Sequence, residues 1–241
     1  MVDWSQVALA GVWGGLLALE RRAFLQAMFS RPLVAATSMG LLLGDLDSGL
    51  YVGLLLEMFH LGAANLGAAL PENDTIAATG CSAAAASCAL SPGAGGTGTP
   101  AIWALAIIMF GWLGALGRKV DRWLEPYNTR LARKATARAE HGELRRAVRQ
   151  NLWGMWPHFV IYAALVGGCS AVGYLVGPAV SKLPLQLVRG LAWAYPAMGC
   201  VAAAIAARGS HARRSAGWAA GTAAVVVLAF VAMAILRKGG A

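Results

Sequence analysis

Residues 54–70 read LLLEMFHLGAANLGAAL, an apolar run of membrane-spanning character that contains three strongly polar side chains. They are the carboxylate of Glu57, the imidazole of His60 and the carboxamide of Asn65. A polar group inside such a run costs free energy unless it finds a partner, and it usually marks a functional position. The stretch therefore predicts a membrane helix with one polar stripe, which must face a partner, a cavity or a pathway rather than lipid.

The rest of the chain has the composition of a membrane protein. Of its 241 residues, 58% are hydrophobic and only 13% are charged, and the mean hydropathy is +0.59. Soluble domains carry about 25% charged residues, so we expect an all-α polytopic membrane protein. Apolar segments lie at residues 5–19, 32–44, 50–70, 75–91, 99–117, 151–176, 184–207 and 215–236.

Two of these segments, 32–44 and 75–91, are shorter than the roughly 20 residues that cross a bilayer as a helix. Short apolar pieces are typical of re-entrant or broken helices, which line cavities or are covered by protein. We therefore expect about six to eight membrane segments that include such pieces. Segment 5–19 has its basic pair, Arg21 and Arg22, after the apolar run, the reverse of a cleavable signal peptide, and is interpreted as the first membrane helix.

The basic residues predict the orientation and a division into three parts. Half of the 20 Lys and Arg residues lie within 118–149, and excess positive charge marks cytoplasmic loops. We expect an N-terminal membrane half (1–117) with the polar stripe, a basic cytoplasmic connector (118–150) and C-terminal membrane helices (151–241). The connector is predicted to be helical, with interruptions at Glu125–Pro126 and at Gly142. Its charges are interpreted as a solvated face, and no pattern typical of nucleic-acid binding is present.

The residues argue against a metal or redox site and leave two mechanisms open. Glu57-x-x-His60 occurs once, whereas di-iron bundles need the motif twice plus two more glutamates. The four cysteines form no CxxC pair and are interpreted as small packing residues, so no metal, cofactor or catalytic residue is expected. The polar stripe fits recognition of a sugar by carboxylate and carboxamide groups, or a proton relay through Glu57 and His60. Asp45, in GDLDSG, is typical of a turn.

Residues 31–74 resemble the signature region of the mannose/sorbose-type enzyme IIC subunit of the bacterial phosphotransferase system. The likeness rests on many fixed spacings, and residues 183–205 add a weaker one. The matching positions are Arg31-Pro32-Leu33, Gly44-Asp45, Gly49, Gly53, Leu56-Glu57-Met58, Leu61-Gly62, Asn65 and Gly67-Ala68-Ala69.

The resemblance implies group translocation of a hexose in the bacterial inner membrane. In that family a IID membrane subunit acts with IIC, and IIA and IIB carry the phosphoryl group, so the chain itself is expected to catalyse no step. Membrane lipid and an oligomeric complex are further expected partners. The family pattern implies that Glu57 and Asn65 help to form the sugar site and that Asp45 shapes the adjacent turn. After Pro71 the chain reads ENDT where the family usually shows Pro-Asp, so the acidic role falls to Asp74, to Glu72, or to neither with Asn73 in its place.

Two other functions remain open at this point. The chain could be a regulatory or scaffold subunit that binds anionic lipid or a cytoplasmic partner through residues 118–149. It could also be a proton-coupled secondary transporter that delivers its substrate without phosphorylation.

Overall fold

The computed structural model describes residues 2–61, 70–94 and 98–209, without the side chains of residues 208 and 209. In these ranges the regular structure is helical and contains no strand, which confirms the all-α prediction. The predicted segment 215–236 lies outside the described residues. The helices are α1 (Trp4–Arg22), α2 (Pro32–Leu43), α3 (Leu46–Leu61), α4 (Asp74–Ala89), α5 (Pro100–Phe110), α6 (Leu113–Glu140), α7 (Leu144–Leu152), α8 (Met155–Val180) and α9 (Leu185–Gly209).

Three helical stretches are long and apolar enough to cross a membrane by length and composition. They are Pro100–Glu140, Leu144–Val180 and Leu185–Ala207, and Pro32–Leu43 is a shorter apolar helix. The protein is therefore a helical membrane protein that combines long spans with short apolar helices.

α2 and α3 form a short helical hairpin. Pro32 occupies the first turn of α2, where its fixed φ suits a helix start. Gly44 ends the helix with φ 88°, a left-handed conformation that favours glycine. A Cβ added at Gly49 would lie 2.6 Å from the carbonyl oxygen of Ala36, so the two backbones touch. With 12 and 16 residues, the helices are about 18 and 24 Å long, less than the ~30 Å hydrocarbon core.

α1 packs antiparallel along α8 through its glycines. A Cβ added at Gly11 would lie 2.8 Å from the carbonyl oxygen of Ala163, and one at Gly15 would lie 2.8 Å from the Phe159 ring. Small residues at such contacts allow helices in a membrane to approach closely. The C-terminal end of α1 is thereby brought to the N-terminal end of α8.

α4 is the most enclosed element, and every residue from Thr75 to Ala89 is buried. It packs mainly against α8, α2 and α3. Its side chains are almost all Ala, Gly, Ser, Thr or Cys, which leave room for neighbours on every side. Cys81 and Cys88 of α4 and Cys169 of α8 are buried free thiols, which confirms the interpretation of these three as packing residues.

The region predicted as span 99–117 and connector 118–150 has different boundaries. The helix breaks at Gly111–Trp112, and α6 then runs without interruption through Pro126 to Glu140. The predicted break at Glu125–Pro126 is wrong: Leu124 and Leu131 are buried on either side of the proline, and their packing offsets the missing backbone hydrogen bond. The break at Gly142 is confirmed, since this residue has φ 78° between α6 and α7.

Candidate functional site

Glu57 joins the two helices of the hairpin at the end opposite Gly44. Its carboxylate forms an ion pair with Arg31, with 2.9 Å between Arg31 Nη1 and Glu57 Oε1. It also accepts a hydrogen bond from the backbone N–H of Leu33 at 3.2 Å. The side chain of Arg31, the N-cap residue of α2, makes no capping hydrogen bond. Glu57 instead supplies a partner for one of the free N–H groups at this helix start. The polar stripe was expected to face a partner, a cavity or a pathway, and at Glu57 it faces a partner, Arg31.

Asp45 lies at the turn of the hairpin. It is 4% exposed, and its Oδ1 accepts a hydrogen bond from the backbone N–H of Ser48 at 3.3 Å, as a helix-capping residue does. The Ser48 hydroxyl accepts a hydrogen bond from Trp103 Nε1 at 3.1 Å, which ties the hairpin to α5. Among the described residues, Oδ2 of Asp45 has no hydrogen-bond partner. Asp45 thus shapes the turn and retains one unused acceptor.

Asn73 is buried in a polar network between α4, α6 and α8. Its Oδ1 accepts a hydrogen bond from the backbone N–H of Ile76 at 3.2 Å and so caps α4. Its Nδ2 donates to Asp121 at 3.1 Å and to the Tyr162 hydroxyl at 3.0 Å. The Asp121 carboxylate also accepts from Arg22 at 2.8 Å and from the Tyr162 hydroxyl at 2.7 Å. The amide group of Asn73 is fully engaged, and this residue fixes the start of α4.

Asp74 lies in a cleft of about 500 Å³ between the end of α3 and the start of α4. Its carboxylate forms an ion pair with Arg21 at the end of α1. Arg21 also donates to the Thr75 hydroxyl at 3.0 Å and to the backbone carbonyl of Glu72 at 3.1 Å. The polar lining consists of Arg21, His60, Glu72 and Asp74, and the apolar lining of Leu56, Phe59, Pro71, Ile107 and Gly111.

Of the two predicted polar residues His60 and Asn65, only His60 lies within the described residues. His60 lines it, and its Nδ1 lies 2.7 Å from the backbone carbonyl oxygen of Leu56. An imidazole that donates from Nδ1 keeps Nε2 as an acceptor. Asn65 lies in 62–69, outside the described residues. Along the chain this segment joins Leu61 to Leu70, the residues next to the cleft-lining His60 and Pro71.

The Arg21–Asp74 pair also lines a smaller cleft of about 280 Å³ beside the loop that follows α1. In this loop Leu25, Gln26 and Met28 have φ of 62°, 50° and 67°. Non-glycine residues rarely adopt this conformation, which costs on the order of 1–3 kcal/mol for each residue. The buried carboxylate of Glu20 accepts a hydrogen bond from the backbone N–H of Ser30 at 2.8 Å and so holds the loop.

Two charged residues of these networks have roles that the sequence interpretation missed. Arg21 was expected only as an orientation signal, and Asp121 was expected on a solvated face. The latter expectation is wrong, because Asp121 is 2% exposed. A signal was present: the buried residues Leu113, Gly114, Gly117, Asp121 and Leu124 recur at spacings typical of one helix face.

No group of three or more His, Cys, Asp or Glu side chains in the described part of the chain is arranged to hold a metal ion. The cleft at α3 and α4 instead combines a guanidinium, carboxylates and an imidazole with an apolar wall. Such a lining can donate and accept hydrogen bonds to a small polar molecule while its apolar part excludes water.

Comparison with known proteins gives one family. A family model described as "PTS system sorbose-specific iic component" matches residues 4–237. The mannose-specific EIIC component of Escherichia coli is 45% identical over 49 residues, which are 20% of this chain and 18% of that protein. The sorbose-specific EIIC component of Lacticaseibacillus casei is 34% identical over 78 residues, 32% of this chain and 28% of that protein. These matches thus span less than a third of the length of the curated relatives.

Two solved structures share the fold over nearly the whole chain. One, described as "Structure of membrane protein", has a TM-score of 0.65 at 23% identity and covers 99% of this chain and 97% of its own. A cryo-EM structure of the mannose transporter ManYZ with a microcin has a TM-score of 0.54 at 19% identity, with 99% and 96% covered. At these identities the likeness shows the fold alone.

Proposed function

The chain belongs to the family of sorbose-specific IIC components of the phosphotransferase system, the membrane subunits of sugar permeases, and we propose that it carries a hexose-type sugar across the bacterial inner membrane. It acts with a IID membrane subunit in an oligomeric complex surrounded by membrane lipid. A IIB partner, supplied by IIA, phosphorylates the sugar. The chain itself catalyses no step.

The cleft between α3 and α4 is the observation that carries this proposal. Its volume of about 500 Å³ lies within the range of 300–1,000 Å³ that is usual for small-molecule sites. A sugar hydroxyl both donates and accepts hydrogen bonds, so it pairs equally well with the guanidinium of Arg21 and the carboxylate of Asp74. The apolar wall formed by Leu56, Phe59 and Ile107 suits the C–H faces of a sugar ring.

The charges of the cleft favour a neutral sugar over its phosphate ester. Glu72 and Asp74 both carry carboxylates, and a phosphate group of about −1.5 to −2 charges would be repelled by them. Both nearby guanidinium groups are already engaged, Arg21 with Asp74 and Arg118 with Glu72 at 3.7 Å, so neither is free to hold a phosphate group. A neutral sugar would thus enter the cleft and leave it after phosphorylation.

The residues expected from the sequence take different parts in this proposal. Asp74 and Asn65 contact the sugar hydroxyls, with Arg21, His60 and Glu72 around them. Glu57 and Asp45 act by holding the two ends of the hairpin, where their described contacts lie. Asn73 acts by fixing the start of α4.

The three predicted parts of the chain fit the same scheme. Residues 1–117 contain the cleft, residues 118–150 form the basic cytoplasmic connector, and residues 151–241 complete the membrane helices. The N-terminus is outside, and the end of α1 with Arg21 and Arg22 is on the cytoplasmic side.

The test is uptake of radiolabelled hexoses by cells that lack other hexose permeases and express this chain with IIA, IIB and IID partners. We expect accumulation of sugar phosphate, reduced at least about tenfold by Asp74→Asn and by Asn65→Ala, because one hydrogen bond to a charged or buried group is lost. Asp47→Asn is the matched control, since Asp47 is exposed and does not line the cleft.

Other outcomes would contradict the proposal in distinguishable ways. Accumulation of unphosphorylated sugar that collapses when the proton gradient is dissipated would show a secondary transporter. A complex that assembles with IID but takes up no hexose would indicate a regulatory or scaffold subunit. Equal uptake by wild type and both cleft variants would place the sugar elsewhere.

A further inference from the structure

Helix α7 carries an apolar stripe that no other described part of the chain covers. The stripe consists of Leu144, Val148 and Leu152, which follow one another at four-residue steps along one side of the helix. Their side chains are 66%, 59% and 54% exposed. Another side of α7 packs against α6, where Ala147 is buried. Large aliphatic side chains that lie open together mark a surface that contacts a membrane or another apolar partner.

The apolar stripe of α7 continues onto the surface of the membrane span α8. Trp156 and Val160 follow Leu152 at the same four-residue spacing, and both are exposed. Trp153 and Gly154, between the two helices, have helical backbone angles, and Leu144–Val180 is one helical stretch apolar enough to cross a membrane. Exposed tryptophans at the start of a span are typical of the head-group level of the bilayer. The stripe therefore begins where the chain enters the membrane.

Two arginines border the apolar stripe of α7. Arg145 directly follows Leu144, and Arg149 directly follows Val148, so the two lie one turn apart beside the stripe. Both are exposed, and their guanidinium groups form no ion pair within the described ranges. Aliphatic side chains on one side of a helix with free basic groups beside them are typical of helices that lie at a membrane surface.

The surrounding charges favour an anionic ligand. The connector contains ten Lys or Arg residues and four Asp or Glu residues. Of the ten, only Arg118, Arg138 and Arg146 have a side-chain partner in the described part of the chain, and the others are exposed. The carboxylates left without an ion pair there are those of Glu125 and Glu140. Free positive charge is thus in clear excess, and it attracts the anionic lipids of the cytoplasmic leaflet.

We propose that α7 binds anionic phospholipid of the cytoplasmic leaflet, with the apolar stripe among the upper acyl chains and Arg145 and Arg149 on the lipid phosphates. The basic residues at the end of α1 and in α7 place this end of the molecule on the cytoplasmic side. An acidic protein would match the arginines, but a stripe that runs into a membrane span favours lipid. Binding of lipid at α7 does not depend on sugar transport.

The test is titration of the full chain, in a nonionic detergent, with phosphatidylglycerol or phosphatidylcholine, followed by native mass spectrometry. We expect phosphatidylglycerol to bind at least about tenfold more tightly. Arg145→Gln combined with Arg149→Gln should weaken its binding at least about tenfold and leave phosphatidylcholine binding unchanged. The matched control is Arg122→Gln with Arg133→Gln, which removes the same charge from an exposed side of α6 and should weaken binding less than about threefold.

A second double variant tests the apolar stripe itself. Leu144→Gln combined with Val148→Gln keeps every charge and changes only exposed side chains, so the fold should be retained. We expect phosphatidylglycerol to bind about tenfold more weakly, because the contact between the stripe and the acyl chains is lost. The unfolding temperature of each variant, measured without added lipid, checks that the fold is intact.

Four results would overturn the inference, and none of them concerns hexose uptake. Equal affinity of the wild type for the two lipids would show that the charges select no anion. Equal losses in the α7 and α6 arginine variants would show diffuse attraction by the whole connector. Unchanged binding after Leu144→Gln with Val148→Gln would show that charge alone holds the lipid. Displacement of the lipid by IID or IIB would identify α7 as a protein interface.

Discussion

Replacing Tyr162 with Phe tests the buried network that holds α4, α6 and α8 together. Tyr162 is 1% exposed, and its hydroxyl accepts a hydrogen bond from Asn73 Nδ2 at 3.0 Å and lies 2.7 Å from Asp121 Oδ1, to which it donates. The substitution keeps the aromatic ring and removes only the hydroxyl. A buried carboxylate oxygen and a buried amide hydrogen then each lose a partner.

The expected loss of stability follows from the bonds to Asp121 and Asn73, because the single hydroxyl hydrogen is donated to Asp121 Oδ1 at 2.7 Å rather than to the backbone carbonyl oxygen of Gly117 at 3.1 Å. A hydrogen bond to a charged group contributes about 1.5–3 kcal/mol, and a buried polar group left unsatisfied costs about 1–3 kcal/mol. Because Asn73 Nδ2 keeps its bond to Asp121, we expect a total of about 2–3 kcal/mol rather than the sum of both costs. Arg22 cannot replace the lost bond, since it binds the other oxygen of the Asp121 carboxylate.

The assay is reversible unfolding in mixed micelles, followed by tryptophan fluorescence, with Tyr174→Phe as the matched control. Tyr174 lies on the same helix and is 7% exposed, but its hydroxyl makes no hydrogen bond in the described part of the chain. We expect Tyr174→Phe to change the free energy of unfolding by less than about 0.5 kcal/mol. Equal effects of the two substitutions would refute the assigned role of the network.

Three further substitutions have definite expected outcomes in the same unfolding assay. Gly14→Ala should destabilise by about 1–3 kcal/mol, because its Cβ would lie 2.7 Å from the Val166 side chain. Gly168→Ala is the control and should cause no loss, because no atom lies within 4 Å of its Cβ. Equal stabilities of the two variants would contradict the close packing of α1 on α8. Gly44→Ala should lower the free energy of unfolding by about 1–2 kcal/mol. The cause is backbone strain at φ 88° alone, since nothing lies within 4 Å of the added Cβ. An unchanged stability would show that the hairpin turn relaxes. Arg31→Gln should cost less than about 1 kcal/mol, because the Arg31 side chain is 52% exposed, and a larger loss would mean that its ion pair is buried in the membrane complex.

The local elements of the fold could be predicted from the sequence because their signals are local. Pro32 and Gly44 delimit α2 within one residue of the predicted segment 32–44, since one residue fixes a helix start and the other permits a left-handed end. The same reasoning failed at Pro126. A proline predicts a break only when packing on both sides does not offset it, and the burial of Leu124 and Leu131 could not be read from the neighbouring residues.

The partners of the polar residues could not be predicted, because they come from distant parts of the chain. Glu57 was expected to face a partner, a cavity or a pathway, but the sequence did not identify Arg31, which lies 26 residues earlier in the chain. Asp121 binds residues from α1, α8 and the start of α4. A sequence shows that such groups need partners, whereas only the packing of helices decides which ones they find.

The central claim is that a hexose binds between the end of α3 and the start of α4. The most direct measurement is photo-cross-linking of a photoreactive hexose to the chain in complex with IID, followed by mass spectrometry of the labelled peptides. The account predicts labelling at both edges of the cleft, within residues 56–61 and 70–74, that excess unmodified hexose suppresses. Labelling that competition abolishes but that avoids both edges would contradict the claim.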